Sequence, residues 1–287
     1  MGRASTAVGR RRAAPVTVRT VVGSDGTTRT HHVDGRLAHL EATPTDSLPQ
    51  VWNGRWHRKA RSADRTNPVA RRQQALARWL GVLFAVGSVL FIVGGPLSLA
   101  GASQGTTLDL LGSILFSVGA VTALLEAVGA GRAVGAGGWW RTVAGKASLI
   151  QLVAAGVVFQ TSTIAAQLGA TGAAAFWTVW CPSVLGGVGF VWSGLLYLAE
   201  ARPAHDLGTR VAAVNLVGSW LFLVSALPGL VDPDLGERWA DVAVNVGYTV
   251  GSVMFLVGGI GAVVEVSRPL PAAGSRFPAP PPDIPAR

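Results

Sequence analysis

Three carboxylates stand at matched positions in this chain. Glu126, Glu200 and Glu265 each lie fourteen residues after a glycine, in "GSILFSVGAVTALLEA" (112–127), "GGVGFVWSGLLYLAEA" (186–201) and "GSVMFLVGGIGAVVEV" (251–266). A carboxylate at a helix C-terminus opposes the helix dipole and calls for a nearby cation. Each preceding apolar run begins with one, so the candidate structural pairs are Arg78–Glu126, Lys146–Glu200 and Arg210–Glu265. The other chemistry open to three carboxylates at one phase is a ring around a vestibule that attracts cations. Boundary charges usually pair, which favours staples, and no charged residue falls near the middle of an apolar run, which argues against a proton-coupled transporter.

Other reactive side chains give weaker signals. Cys181 in "CPS" has the thiolate of a haem ligand but no paired histidine, and as the single cysteine it excludes an intrachain disulfide. His31 and His32 beside Asp34 lack the usual metal-ligand spacing. Gln151 and Asn215 each lie five residues after the cation of their run, and read as interhelical hydrogen-bond partners more readily than as solute ligands. There is no P-loop, zincin motif or nucleophile elbow. The expectation is therefore no catalytic residue, no metal site and no cofactor.

The elements that must position these residues are membrane spans. Apolar residues make up 49% of the 287, charged residues only 14%, and the mean hydropathy is +0.42, too apolar for an ordinary soluble domain. Six windows, at 79–100, 108–129, 147–168, 176–199, 211–231 and 242–264, are each near the roughly 20 residues needed to cross a bilayer as helix. Lys and Arg crowd the segments before the first window, after each even window and after the last, whereas "GASQGTT", "GATGAAA" and the acidic "VDPDLGERWAD" hold one Arg between them. The positive-inside rule then places both termini in the cytoplasm. Trp79, Trp139 and Trp140 on one side, and Trp177, Trp180 and Trp239 on the other, suit interfacial belts. No secretory signal precedes the first window. Two lysines against twenty-two arginines suggest a high-GC bacterial genome, hence a bacterial plasma membrane.

Internal repetition is the strongest pattern. "GSVLF" at 87, "GSILF" at 112, "GSWLF" at 218 and "GSVMF" at 251 share G-S-x-x-F, while "AGVVF" at 155 and "GGVGF" at 186 are degenerate copies. The chain reads as an all-α integral membrane protein of six helices in three repeated hairpins, 78–129, 146–200 and 210–266. At about 100° per residue, Gly112/Phe116/Gly119, Gly186/Phe190/Ser193 and Gly251/Phe255/Gly258 form stripes, a helix-packing seam in which small residues let backbones approach. The Glu of each copy extends its stripe. These motif helices, paired around an outside loop, resemble the YrhK-like family of small bacterial membrane proteins over roughly 76–128 and 208–266. The middle hairpin fits more loosely, because Ala155 replaces Gly and the serines are lost. The resemblance implies a membrane domain of uncharacterised role and carries over no catalytic residue.

The N-terminal arm, 1–77, is expected to be basic, cytoplasmic and partly disordered, with a small β-hairpin at 16–33. Residues 1–78 carry fifteen Lys/Arg against five Asp/Glu. "VWNGRWHRKARSADR" interleaves Trp52 and Trp56 with Arg55, Arg58 and Lys59, which suits anionic lipid headgroups better than nucleic acid, since no nucleic-acid-binding fold accompanies the charge. A cytoplasmic protein partner is also compatible with this arm. The Pro-rich tail, 267–287, reads as extended and disordered. The functional expectation is a non-enzymatic scaffold or sensor; the competing reading is a small channel or permease for a solute or ion, with a path between the hairpins.

Overall fold

The computed structural model describes residues 17–22, 28–34, 37–43, 50–53, 59, 68–133, 139–201 and 206–268. Two units are distinct, Met1–Trp52 and Asn53–Arg287. The first holds a four-stranded sheet of β1 (Thr17–Val22), β2 (Thr28–Asp34), β3 (Leu37–Thr43) and β4 (Gln50–Asn53) in sequential order. β1 and β2 pair antiparallel across the segment where a hairpin was expected, with Thr20 opposite Thr30. The sheet continues beyond it through β3, whose Leu40 faces His31.

The second unit is helical and is that of a multipass membrane protein. Among the described residues six helices are long and apolar enough to span a bilayer: α1 (Ala70–Leu99 within a helix beginning at Pro68), α2 (Gln104–Ala130), α3 (Val143–Gln167), α4 (Gly172–Ala201), α5 (Leu207–Val231) and α6 (Arg238–Ser267). The first helix begins inside the stretch expected to be arm, with Pro68 in its first turn, where a missing N–H costs nothing. Hairpin loops one and two close with the same cap. Gly101 and Gly169 take φ of 74° and 75°, and the next residue's N–H reaches back five positions, Ala102 to Leu97 O at 2.9 Å and Ala170 to Ala165 O at 3.1 Å. Loop three lacks that glycine cap and is tied by acidic side chains instead. Asp232 accepts from Glu237 N at 2.7 Å, and Asp234 accepts from Gly172 N at 2.6 Å.

Each helix packs on its sequence neighbours and α6 packs on α1, so the six form a closed ring. Large aliphatic side chains such as Val82, Val86, Val89 and Val93 point outward, while alanine, glycine, serine and phenylalanine fill the interior. That distribution suits lipid, where packing rather than the hydrophobic effect joins helices. At the centre lie Phe91, Phe116, Phe159, Phe190, Phe222 and Phe255, the motif phenylalanine of each helix, in one buried cluster with Phe84. Their contacting rings are 5.2 to 6.5 Å apart, mostly edge-on, and such pairs contribute about 0.5–1.5 kcal/mol each beyond burial.

Candidate functional site

The glutamates are where the stripe places them. Fourteen residues advance a helix to within about 40° of the starting glycine, and Glu126, Glu200 and Glu265 are all buried. The nine seam residues Gly112, Phe116, Gly119, Gly186, Phe190, Ser193, Gly251, Phe255 and Gly258 are buried as well.

The cations expected beside those carboxylates are elsewhere. Arg78, Lys146 and Arg210 are exposed, and none of the pairs Arg78–Glu126, Lys146–Glu200 or Arg210–Glu265 forms among the described residues. Phase explains the correction. Arg78 and Lys146 lie nine residues before their motif position, about 180° around the helix, and Arg210 lies eight before, about 80° away. A side chain so placed turns outward while the glutamate turns in.

Glu265 pairs instead with Lys59. The Nζ to Oε2 distance is 3.8 Å, and the side chains are 2% and 0% exposed. This also corrects the assignment of Lys59 to the lipid surface, because its ammonium lies within the bundle end. Of the other residues assigned to that surface, Trp52 is on β4 with its side chain outside the described residues, and Arg55, Trp56 and Arg58 lie outside them altogether.

Lys59 and the phenylalanine cluster both line a cavity of about 80 Å³, room for a few water-sized groups. Phe84, Phe190 and Phe255 form its apolar side; Lys59, Gln151, Ser193, Tyr197, Asn215 and Ser219 supply the polar side. Gln151 and Asn215, expected as interhelical partners, thus face a shared cavity. Glycines shape its wall. A Cβ at Gly81 would lie 2.8 Å from Gly259 O, one at Gly259 would lie 2.8 Å from Gly81 O, and one at Gly258 would collide with the Asn215 amide. The close α1–α6 crossing therefore depends on having no side chain at 81 and 259.

A second polar system occupies the hairpin-loop half. Ser162 and Ser183 share a hydrogen bond at 2.6 Å, Ser113 and Thr163 one at 2.9 Å, and Ser117 donates to Gln160 Oε1 at 3.1 Å. Trp180, expected at the interface, is buried and donates from Nε1 to Pro233 O at 2.8 Å. It packs on Gly229, so it fastens the third hairpin to the second.

Sequence reasoning did not anticipate a buried Lys59. One available signal was its rarity: it is the single lysine in an arm otherwise built on arginine. Arginine keeps a wide, always-charged fork, whereas lysine offers a compact head on a flexible stem that can thread between helices. No family model matches the chain, and neither a curated protein nor a solved structure is similar to it. The YrhK-like resemblance therefore rests on the G-S-x-x-F residues alone.

Proposed function

We propose that this chain is a non-enzymatic scaffold or sensor of the bacterial plasma membrane, with both termini in the cytoplasm. The observation that carries the reading is the phenylalanine cluster: one ring from every helix of a closed ring of six fills the axis. A conduction path ordinarily needs broken helices and polar groups at mid-depth. Here the polar cavity and the serine-rich half lie on opposite sides of an apolar layer. The buried Lys59 adds a coupling element, since it joins the arm to the end of the bundle through Glu265. Anionic headgroups or a cytoplasmic protein remain the partners proposed for the rest of the arm.

Reconstitution tests the sealed axis. Proteoliposomes should pass protons, Na⁺ and K⁺ no faster than protein-free vesicles. Flux that is present in the wild type and reduced by Glu126→Gln, Glu200→Gln and Glu265→Gln would favour the channel. Orientation has its own test on a Cys181→Ser background in intact cells: Asp234→Cys should react with an impermeant thiol reagent and Gly274→Cys should not.

A further inference from the structure

We propose that the cavity lined by Lys59 is a binding site for a small neutral carboxamide. The inference gives the sensor reading a ligand class and rests on that reading. The cavity, about 80 Å³, is lined from five of the six helices as well as by Lys59, and it holds more space than a close-packed interior leaves. Two side-chain amides line it, Gln151 from α3 and Asn215 from α5, and neither makes a side-chain hydrogen bond among the described residues. Room for the Asn215 amide is made at Gly258, where a Cβ would strike it.

Charge and hydrogen-bonding capacity select the ligand. Among the described residues the charged side chain that lines the cavity is Lys59, and its ammonium is already matched by Glu265 at 3.8 Å. A carboxylate guest would bring surplus negative charge into a buried space and an ammonium guest surplus positive charge, and a buried charge without a partner is costly. A neutral guest leaves the ion pair intact. The two serines of the lining have spent their protons on helix carbonyls, Ser193 on Ala147 O and Ser219 on Asn215 O, both at 2.9 Å. They offer only lone pairs, so the guest needs an N–H. The amides of Gln151 and Asn215 offer N–H donors as well as oxygen acceptors, so a guest carbonyl is met too. A carboxamide carries both groups in one plane, and Phe84, Phe190 and Phe255 give its short alkyl end an apolar wall.

Equilibrium dialysis of the full chain in detergent with radiolabelled propionamide should show saturable binding, one molecule per chain. Asn215→Leu and Gln151→Leu keep side-chain bulk and remove the amide, and each should weaken that binding at least about fivefold. Unchanged binding in either variant, in protein that melts with the wild type, would overturn the site. Should neither variant fold, the wild type still decides. Propionate and propylammonium at equal concentration should fail to displace propionamide; displacement by either, or no saturable propionamide binding at all, would overturn the proposal. Ion flux measured on the same preparation keeps the two readings apart. Binding together with H⁺, Na⁺ or K⁺ flux above that of protein-free vesicles would contradict the sealed axis and leave the site standing; sealed vesicles without binding would do the reverse.

Discussion

The first and third hairpins hold their two helices together by one device, and the middle hairpin uses another. In the first, a Cβ at Gly87 would meet Phe116 at 2.7 Å and one at Gly112 would meet Phe91 at 3.0 Å. The third repeats the exchange, with Gly251 against Phe222 at 2.6 Å and Gly218 against Phe255 at 3.3 Å. Each phenylalanine thus lies over the glycine of its partner helix. In the middle hairpin Ala155 stands at the first glycine position, and Gly186 meets the Cβ of Phe159 at 3.2 Å. Its helices carry π-helical turns at Ala154–Phe159 and Phe176–Trp180. Phe159 and Phe190 nevertheless join the same cluster as the other four. What the repeat preserves is the delivery of a ring to the axis; the crossing that delivers it varies, and the wider turns accommodate the alanine.

The largest test of this comparison removes a ring. Phe222 is 1% exposed and touches Phe91, Phe159, Phe190, Phe255 and Tyr248. Phe222→Ala should cost about 3–5 kcal/mol in thermal or denaturant unfolding in detergent. A loss under about 1 kcal/mol would mean that the cluster is not what closes the bundle.

A methyl at the crossing should cost less and should separate the two kinds of hairpin. Gly251→Ala drives a Cβ into a ring that has no free direction to move, an overpacking cost of about 1–3 kcal/mol. Gly186→Ala meets only contacts of 3.2 Å and longer, and the better helix propensity of alanine, about 0.5–1 kcal/mol, should leave it near neutral. Equal costs at the two sites would erase the distinction drawn between the hairpins.

The charges give a third contrast. Lys59→Met and Glu265→Gln together should cost less than the two single changes summed, with a coupling of about 0.5–3 kcal/mol. Arg78→Gln with Glu126→Gln, and Lys146→Gln with Glu200→Gln, should be additive to within about 0.3–0.5 kcal/mol, because those partners do not meet. Coupling in either of the latter pairs would restore the staple arrangement.

A modest effect is expected at Ala155. Restoring the motif with Ala155→Gly should destabilise by about 1 kcal/mol, the ordinary cost of glycine inside a helix, if the π turn sets the spacing. Stabilisation would show instead that the methyl holds the helices apart.

Much of the membrane unit was legible in the sequence. Hydropathy located six spans, and the G-S-x-x-F copies located the phenylalanine that each helix sends inward, because both are local and periodic. The charge pairs were misread although the information was present: the offset of nine residues turns Arg78 and Lys146 away from the glycine face. Lys59 is different in kind. Nothing local marks a residue as the one that will cross to another element, and pattern arguments are silent on such long-range contacts. The π turns at 154–159 and 176–180 were hidden for a related reason, since a single widened turn hardly disturbs an apolar run. Trp180 matched an interfacial residue by type, and the small side of Gly229 that receives it lies in a different hairpin.

A side chain of the arm is built into the end of the helical bundle, and the two lysines allow this to be tested in one sample. Brief acylation of the folded wild-type protein in detergent, read by mass spectrometry, should modify exposed Lys146 and spare Lys59, which is 1% exposed and paired with Glu265. Glu265→Gln should raise modification at Lys59 and leave Lys146 unchanged. Equal reactivity of the two lysines in the wild type would place Lys59 outside the bundle and contradict the account.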